Sequence, residues 1–279
     1  MKTIFNLTLA LAVLAPLSLA QEETTEERYV ERLVVPFRND GAKHLSARLH
    51  RGGMTITGYE GEEVVIEARK RQKQWKSTSE GGLRTFHLPS TGIYAEEHHN
   101  QVEVGVRNHN ATVDVDIKVP FETSLKLVCH NSGKIVVDGT KGEIDASNHN
   151  GGISISNAIG VIVAHSSNGN ITVTLDEVFP DKPMSFTTMN GDIDVSIPSD
   201  TKAQLSMHTF RGNVKSDFDI DIQPDGPQLK VTDERSKGGR YRIEFEKGLY
   251  GNINGGGPQY VFKTHNGEIR IRQRKANAE

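Results

Sequence analysis

The sequence has little cysteine and little net charge, and after its first twenty residues it has no long hydrophobic run. Its one cysteine, Cys129, excludes an internal disulfide framework and any zinc site built from several cysteines. The formal net charge of -3 is not the strongly basic balance of a dedicated nucleic-acid binder. The 279 residues are still 35% hydrophobic and 25% charged, which is too apolar and too mixed in charge for a chain that is disordered throughout. We expect Cys129 to be a small buried residue rather than a reactive thiol.

The first twenty residues have the layout of a secretory signal peptide. Lys2 precedes an apolar run from Leu7 to Leu19, and Ser-Leu-Ala at 18–20 places small residues before a cleavage site at Gln21. A retained membrane anchor is the alternative, but the run is shorter than a bilayer span and contains Pro16. The sequence therefore predicts an exported protein, periplasmic or extracellular, with no stable membrane span after cleavage.

A short motif recurs along the rest of the chain: Asn-Gly, or a close variant, followed by an alternating Ile/Val strand. Its copies occupy residues 131–137, 149–155, 167–173, 189–195, 210–216 and 265–271. The first five glycines are separated by 18, 18, 22 and 21 residues, and half-repeats at Gly142 and Gly160 are also 18 apart. A related unit from Gly53 to Ala68 opens the array. A β-meander has similar short strands, but the doubled 18-residue period favours a solenoid whose equivalent residues stack about 4.8 Å apart.

The alternation after each glycine predicts one inward face. The inward column consists of Ile135, Ile153, Ile171, Ile193, Val214 and Ile269, and two residues later of Val137, Ile155, Val173, Val195 and Ile271. Asn and Gly tolerate positive φ, so the dipeptides predict sharp corners. Stacked corner asparagines can bond amide to amide, so we expect a structural ladder rather than ligand contacts.

Outside these repeats the pattern loosens. We expect a first strand around Arg32–Phe37, a long loop with one strand over 70–100, strands at Val102–Val106 and Val113–Val119, and loops at 176–184 and 223–239. No stretch has convincing helical periodicity, so the fold class is all-β. The predicted organisation is a signal peptide at 1–20, an N-terminal linker and first strand at 21–40, a β-solenoid domain at 41–273 and a basic tail at 274–279.

These motifs resemble a known family. The run from Val119 to Leu127 before Asn-Ser-Gly-Lys-Ile, a second Pro-led unit at 197–205 and the closing stretch 251–271 are similar to the bacterial putative adhesin family DUF4097, over about residues 45–273. The resemblance implies a right-handed single-stranded β-helix, or β-solenoid, with irregular inserted loops. It also implies export, and it brings no established catalytic residues. Arg211 and Ser132 depart from the pattern, because asparagine would complete the corner there.

Several histidines lie beside the corners: His130, His149, His165, His208 and His265. Only His149 and His265 share the same offset from a glycine, and no His-x-His or His-Glu-x-x-His spacing occurs. The sequence therefore favours solvated histidines over a metal site. If the corners stack, imidazoles with pKa values near ~6.5 would make the surface mildly pH-sensitive.

Acidic pairs are the candidate catalytic groups of an alternative function. They are Asp114/Asp116, Asp192/Asp194 and Asp217/Asp219/Asp221. A glycan-cleaving enzyme needs two carboxylates in unlike environments, whereas alternating Asp residues are typical of a solvated strand. No nucleophile elbow, Walker loop or dinucleotide fingerprint occurs, and Gly255–Gly257 reads as a tight corner. The basic residues of 270–275 and of Lys70–Lys76 are expected to be solvated, with contact to an anionic envelope surface as the alternative.

The sequence thus predicts an exported, non-catalytic β-solenoid that serves as an adhesin or as an envelope binding or structural protein. It predicts no catalytic, cofactor-binding or metal-binding residue and no cofactor. The expected partners are a glycan, a cell-envelope polymer or another envelope protein, and not nucleic acid. A carbohydrate-active β-helix enzyme, either lyase or hydrolase, is the alternative, and a sensor-like envelope module is a third hypothesis.

Overall fold

The computed structural model describes residues 30–71, 90–131, 133–223, 228–233, 241–246 and 248–274. Within these ranges all the regular secondary structure is β-strand, so the all-β prediction is confirmed. The same ranges contain no helix that is long and apolar enough to cross a membrane. The predicted signal peptide, Ser132, residues 72–76 of the basic cluster and Lys275 lie outside the described residues.

Twenty-two strands are described, numbered in chain order. The first eleven are β1 (Val30–Pro36), β2 (Lys43–Arg51), β3 (Met54–Tyr59), β4 (Glu63–Lys70), β5 (Ile93–His98), β6 (Gln101–Val106), β7 (Val113–Pro120), β8 (Thr123–Asn131), β9 (Ile135–Asp138), β10 (Lys141–Asn150) and β11 (Ile153–Asn168). The others are β12 (Ile171–Val178), β13 (Met184–Asn190), β14 (Ile193–Pro198), β15 (Ala203–Arg211), β16 (Val214–Ser216), β17 (Asp221–Ile222), β18 (Gln228–Asp233), β19 (Tyr241–Glu246), β20 (Leu249–Ile253), β21 (Gln259–Asn266) and β22 (Ile269–Arg274).

Most coils consist of two strands joined at a glycine corner, and equivalent strands of neighbouring coils pair in parallel. The first strands stack in the order β6–β2–β8–β10–β11–β13–β21–β15. The second strands stack in the order β7–β3–β9–β11–β12–β14–β22–β16. The long strand β11 contributes to both stacks, and Gly142 aligns with Gly160 as the 18-residue period predicts.

The coils do not stack in chain order. The β2–β3 coil lies between β6–β7 and β8–β9, and the β21–β22 coil lies between β13–β14 and β15–β16. The expectation that the unit beginning at Gly53 opens the array is therefore wrong. Because the inward patterns of the coils are alike, the repeat itself allows any coil to stack on any other.

Antiparallel strands cover one end of both stacks and the other end of the first stack. At one end β4 pairs with β7, β1 pairs with β4 and β5 pairs with β6. At the other end β20 pairs with β15, and β17 pairs with β20. Such strands cover the parallel edges on which further coils could add. The predicted loop at 223–239 is wrong in part, because β18 lies within it and pairs with β19, and β12 extends into the loop expected at 176–184.

The inward column forms the core, as predicted. Ile135, Ile153, Ile171, Ile193 and Ile269 are buried, and so are the five residues expected two positions later. At the end of the stack, the valine at 214 is half-buried because only one coil covers it. Each fully buried aliphatic side chain of this kind contributes roughly 1.5–3 kcal/mol.

Glycine occupies the corners because neighbouring coils approach too closely there for a side chain. A Cβ on Gly151 would lie 1.9 Å from the carbonyl oxygen of Gly133, and one on Gly267 would lie 2.0 Å from that of Gly191. A Cβ on Gly169 would lie 2.4 Å from the Gly151 backbone. Gly133, Gly151, Gly169 and Gly267 do not have positive φ, and neither do the asparagines that precede the corners. The predicted reason, a left-handed turn, is wrong for these corners; the requirement is the absence of a Cβ.

The corner asparagines form the predicted ladder. The Nδ2 of Asn150 donates to Oδ1 of Asn131 at 2.7 Å, and Asn168 donates to Asn150 at 2.9 Å. Asn190 donates to Asn168 at 2.8 Å and Asn266 to Asn190 at 2.7 Å. Five asparagines from five coils are therefore bonded in one direction, as in the amide ladders of cross-β stacks.

Arginine replaces asparagine in the coils that bound the ladder. Arg51 aligns with Asn131 at one end, and Arg211 aligns with Asn266 at the other. In chain order Arg211 would interrupt the ladder, but the inserted β21–β22 coil keeps the asparagines contiguous. Ser132 lies outside the described residues, and Asn131 beside it supplies the rung.

A second polar column lies behind the ladder and was not predicted. Three positions before each corner glycine, Asn148, Ser166, Thr188, Thr209 and Thr264 each donate a side-chain hydrogen bond, at 3.0 Å, to a corner glycine carbonyl of the adjacent coil. These bonds satisfy carbonyl groups that would otherwise be buried without a partner. The recurrence of Asn, Ser or Thr at this offset was the available sequence signal.

Cys129 extends this column into the β2–β3 coil. It is buried, and its Sγ donates to the carbonyl oxygen of Gly52 at 3.0 Å. The predicted burial is confirmed, and burial raises the pKa of the thiol to about 11, which favours the unreactive thiol form.

Candidate binding surface

The two stacks present outward faces of different chemistry. The outward side chains of the first stack include seven of the eleven histidines, and we call this surface the histidine face. These residues are His44, His50, His130, His149, His165, His208 and His265. On the second stack, and on β4 where it pairs with β7, outward side chains form ion pairs. We call this surface, made by β4, β7, β14 and β22, the ion-pair face.

On the ion-pair face, arginines engage the Asp192/Asp194 pair. Two N–H groups of Arg272 contact Asp194 at 2.8 and 3.0 Å, and Arg270 contacts Asp192 at 3.2 Å. The Asp194 carboxylate raises the pKa of Arg272. Arg274 pairs with a carboxylate of β12 at 2.6 Å. The basic residues 270–274 thus pair within the chain instead of forming the solvated basic end that was expected.

The Asp114/Asp116 pair is held in the same way. Arg71 contacts Asp114 at 2.7 Å, and Arg69 pairs with Asp116. The residues of 217–221 that were considered as a third acidic group are exposed at the end of the stack. The three carboxylate groups considered for catalysis therefore lie on different strands or at the end of the stack, and arginines form ion pairs with two of them.

Three imidazoles meet at one end of the histidine face. The ring of His50 lies 4.0 Å from that of His109 and 5.3 Å from that of His130, measured between centroids. Burial, followed by the charges of His109, His130 and Arg48, lowers the pKa of His50 below its usual 6.5. His130 was among the candidates, whereas His50 and His109 were not. The sequence distance of 80 residues between His50 and His130 hid their alignment, which follows from the placement of β2 beside β8.

The same corner row continues away from this cluster. Nδ1 of His149 lies 3.1 Å from Oγ of Ser167, and the ring of His265 stacks on Phe210 with centroids 4.8 Å apart. Met189 and Phe210 are 59% and 66% exposed, so this row carries the most exposed apolar side chains of the face. The shared offset of His149 and His265 is confirmed as one outward row.

The remaining histidine candidates lie apart from one another. His165 is exposed on β11, and His208 contacts Ser206 at 3.0 Å and the ring of Tyr250. No group of three or more His, Cys, Asp or Glu side chains in the described ranges is arranged to hold a metal ion.

A groove of about 650 Å³ crosses the histidine face from β5 to β11. Its charged and imidazole side chains are His44, Arg48, Glu96, His98, Glu103, Lys126, Glu143 and Asp145. The groove runs across several parallel strands, and so along the stacking direction. This arrangement can accommodate an extended polar chain.

Comparison with known proteins confirms the family resemblance. The Toastrack DUF4097 family model matches residues 124–248. No curated protein matches the chain.

Three solved structures are similar at low identity. A putative cell adhesion protein from Clostridium sporogenes shares 12% identity with a TM-score of 0.46, covering 89% of this chain and 100% of that one. A putative adhesin from Bacteroides fragilis shares 10% identity with a TM-score of 0.36, covering 88% and 97%. A putative adhesin from Parabacteroides merdae shares 10% identity with a TM-score of 0.21, covering 88% and 96%.

Proposed function

We propose that this protein, whose central coils match the DUF4097 family, is an exported, non-catalytic binding protein of adhesin type. Its coils wind as a right-handed β-solenoid, and its histidine face binds an extended surface polymer. Residues 41–273 make up this binding domain, after a signal peptide at 1–20 and a linker with the first strand at 21–40, and before a basic tail at 274–279.

The observation that carries the proposal is the unequal distribution of side chains between the two faces. On the ion-pair face, the charged groups are consumed by contacts such as Arg272 with Asp194 and Arg71 with Asp114. On the histidine face, the groove and the row of imidazoles leave donors and acceptors exposed along the stacking direction. Exposed polar groups that repeat along one axis suit a ligand that repeats as well.

Two features support export. The N-terminal pattern of Lys2, an apolar run and small residues before Gln21 is that of a secretory signal peptide. Cys129, the single cysteine, is buried with a raised thiol pKa, so an oxidising compartment would leave it unpaired without harm.

A glycan-cleaving enzyme is the second candidate, because the groove contains carboxylates. Glu103 lines it on β6, and Glu143 and Asp145 line it on β10, with β2 and β8 between these strands. Two of these carboxylates would serve as the acid and the base. Lys182 contacts Glu143 at 3.3 Å. Release of reducing ends from a bound polymer, abolished by Asp145→Asn, would establish the enzyme in place of the binding protein.

A binding assay with matched face variants tests the proposal. The purified chain is applied to an array of bacterial and host glycans, together with Lys126→Glu in the groove and Lys118→Glu on β7 of the ion-pair face. Both lysines are exposed on strands of comparable length, so the two changes are matched in charge. We expect Lys126→Glu to weaken polymer binding and Lys118→Glu to leave it unchanged. Equal loss from both variants, or no bound polymer at all, would overturn the proposal.

A further inference from the structure

The imidazole cluster lies where the asparagine ladder ends. Asn131 accepts from Asn150 through Oδ1, and its Nδ2 donates to no other residue in the described part of the chain. Arg51 is aligned with Asn131, and the rings of His50 and His130 stack directly beside this pair. Amide, guanidinium and imidazole donors therefore converge at one exposed corner.

This corner has no acidic partner of its own. Within the described ranges, no carboxylate forms a salt bridge with His50, His109, His130 or Arg51. Asp114, the acidic residue on the neighbouring strand β7, accepts hydrogen bonds from Arg71 and from the backbone N–H of Gly53. Further positive charge comes from Arg48 on β2, which acts on His50.

We propose that His50, His109, His130 and Arg51 bind the acidic group of a polysaccharide, with a uronate carboxylate as the ligand. The inference rests on the proposed function and specifies the class of polymer. Imidazolium and guanidinium groups donate charge-assisted hydrogen bonds to carboxylates, so the protonated cluster together with Arg51 suits an anion.

The surroundings favour a sugar chain over other anions. The cluster adjoins the groove through Arg48, but the groove also contains four carboxylates, so the ladder edge rather than the groove offers a path for an acidic chain. Along the edge, each bonded asparagine of the ladder keeps one N–H and one oxygen lone pair for the solvent side. These groups repeat about every 4.8 Å and suit the hydroxyl groups of successive sugar units.

Binding is coupled to protonation. A bound carboxylate favours the charged form of His50, whose pKa is lowered in the free protein by burial and by the charges of His109, His130 and Arg48. The complex therefore takes up protons, and affinity rises as the pH falls through the histidine range.

Isothermal titration with polygalacturonate at pH 5.5 and pH 7.5 tests the inference, with dextran as the neutral polymer and duplex DNA as a different polyanion. We expect polygalacturonate to bind about tenfold more tightly at pH 5.5, the effect of three exposed charge pairs. The triple variant His50→Asn, His109→Asn, His130→Asn should lose this gain, whereas the triple lysine variant should bind tightly at both pH values. His99→Asn, at an exposed histidine in the turn between β5 and β6 and outside the histidine face, is the matched control and should change affinity less than about twofold.

The outcomes separate the two proposals. Equal binding of dextran and polygalacturonate would overturn the anion site and leave the polymer-binding function standing. Tighter binding of DNA would overturn the assignment to a sugar chain, and unchanged affinity in the triple asparagine variant would overturn the location. Failure of every polymer here and of every glycan on the array would overturn the function itself. A thermal melt of each variant by circular dichroism verifies that it is folded.

Discussion

Replacing Gly151 by alanine tests whether the corners require glycine because neighbouring coils touch there. The new Cβ would lie 1.9 Å from the carbonyl oxygen of Gly133 and 2.8 Å from Nδ2 of Asn148. Relief of this overlap must separate the two coils and weaken the 3.0 Å bond from Asn148 to Gly133, together with the 3.1 Å backbone bond from Ile135 to Gly152. Overpacking and the lost hydrogen bonds together should cost about 3 to 5 kcal/mol.

Urea denaturation of Gly151→Ala and of Gly139→Asn measures the effect against a control. Gly139 has φ of 64° and nothing within 4 Å of its would-be Cβ, so asparagine fits there. We expect Gly139→Asn to cost about 1 kcal/mol or less, because asparagine adopts the left-handed region readily. If Gly151→Ala lost no more stability than Gly139→Asn, close approach would not be the reason for glycine at the corners.

Three further predictions concern the columns beside the corners. Thr188→Val should lower the free energy of unfolding by about 1 to 3 kcal/mol, because the buried carbonyl of Gly169 loses its donor. Thr188→Ser keeps a hydroxyl donor and should retain most of the wild-type stability in the same urea titration. Equal stability of the two variants would contradict this role. Cys129 should resist a thiol reagent at pH 8 in the folded protein and react once urea unfolds it, since its thiol pKa is about 11, and rapid labelling without urea would refute that. Burial and neighbouring positive charges hold the pKa of His50 below 6.5, so the unfolded chain takes up this proton first as the pH falls. The urea midpoint should therefore drop between pH 7.5 and pH 5, and His50→Asn should reduce the drop. An identical drop in the variant would show that His50 is not responsible.

The parts of the fold that repeat locally could be predicted from the sequence. The period of two within each strand determines which side chains point inward, and the core position of residues such as Ile153 and Ile171 is confirmed. The Asn-Gly recurrence likewise predicted the ladder from Asn150 to Asn266, and the rung at Asn131 was not predicted. Both patterns depend on neighbours within one coil or on the shared period of many coils.

The order of the coils could not be read from that period, because coils with alike inward patterns are interchangeable in the stack. Arg211 was a usable signal, since an arginine corner fits the end of an amide ladder better than its middle. Its place in the chain, before Asn266, already implied that the last coil inserts ahead of it. The sequence-based interpretation instead took Arg211 as an irregularity of the ladder.

The histidine face was missed for the same reason. His50 and His130 become neighbours only because β2 stacks on β8, with the β5–β7 segment between them in the chain. The ion pairs of the other face also join distant strands, as with Arg272 and Asp194, so the spacing of acidic residues alone made them look free. Corner offsets identified single histidines, and the stacking order assembled them into a surface.

The measurement that bears most directly on the role of the histidine face is carbethoxylation of histidines, located by mass spectrometry with and without polygalacturonate at pH 5.5. If the face binds the polymer as described, His50, His109 and His130 should be protected in the complex, while His99, in the turn between β5 and β6, should remain as reactive as in the free protein. Saturating polymer that leaves all three modified at their free rates would contradict the account.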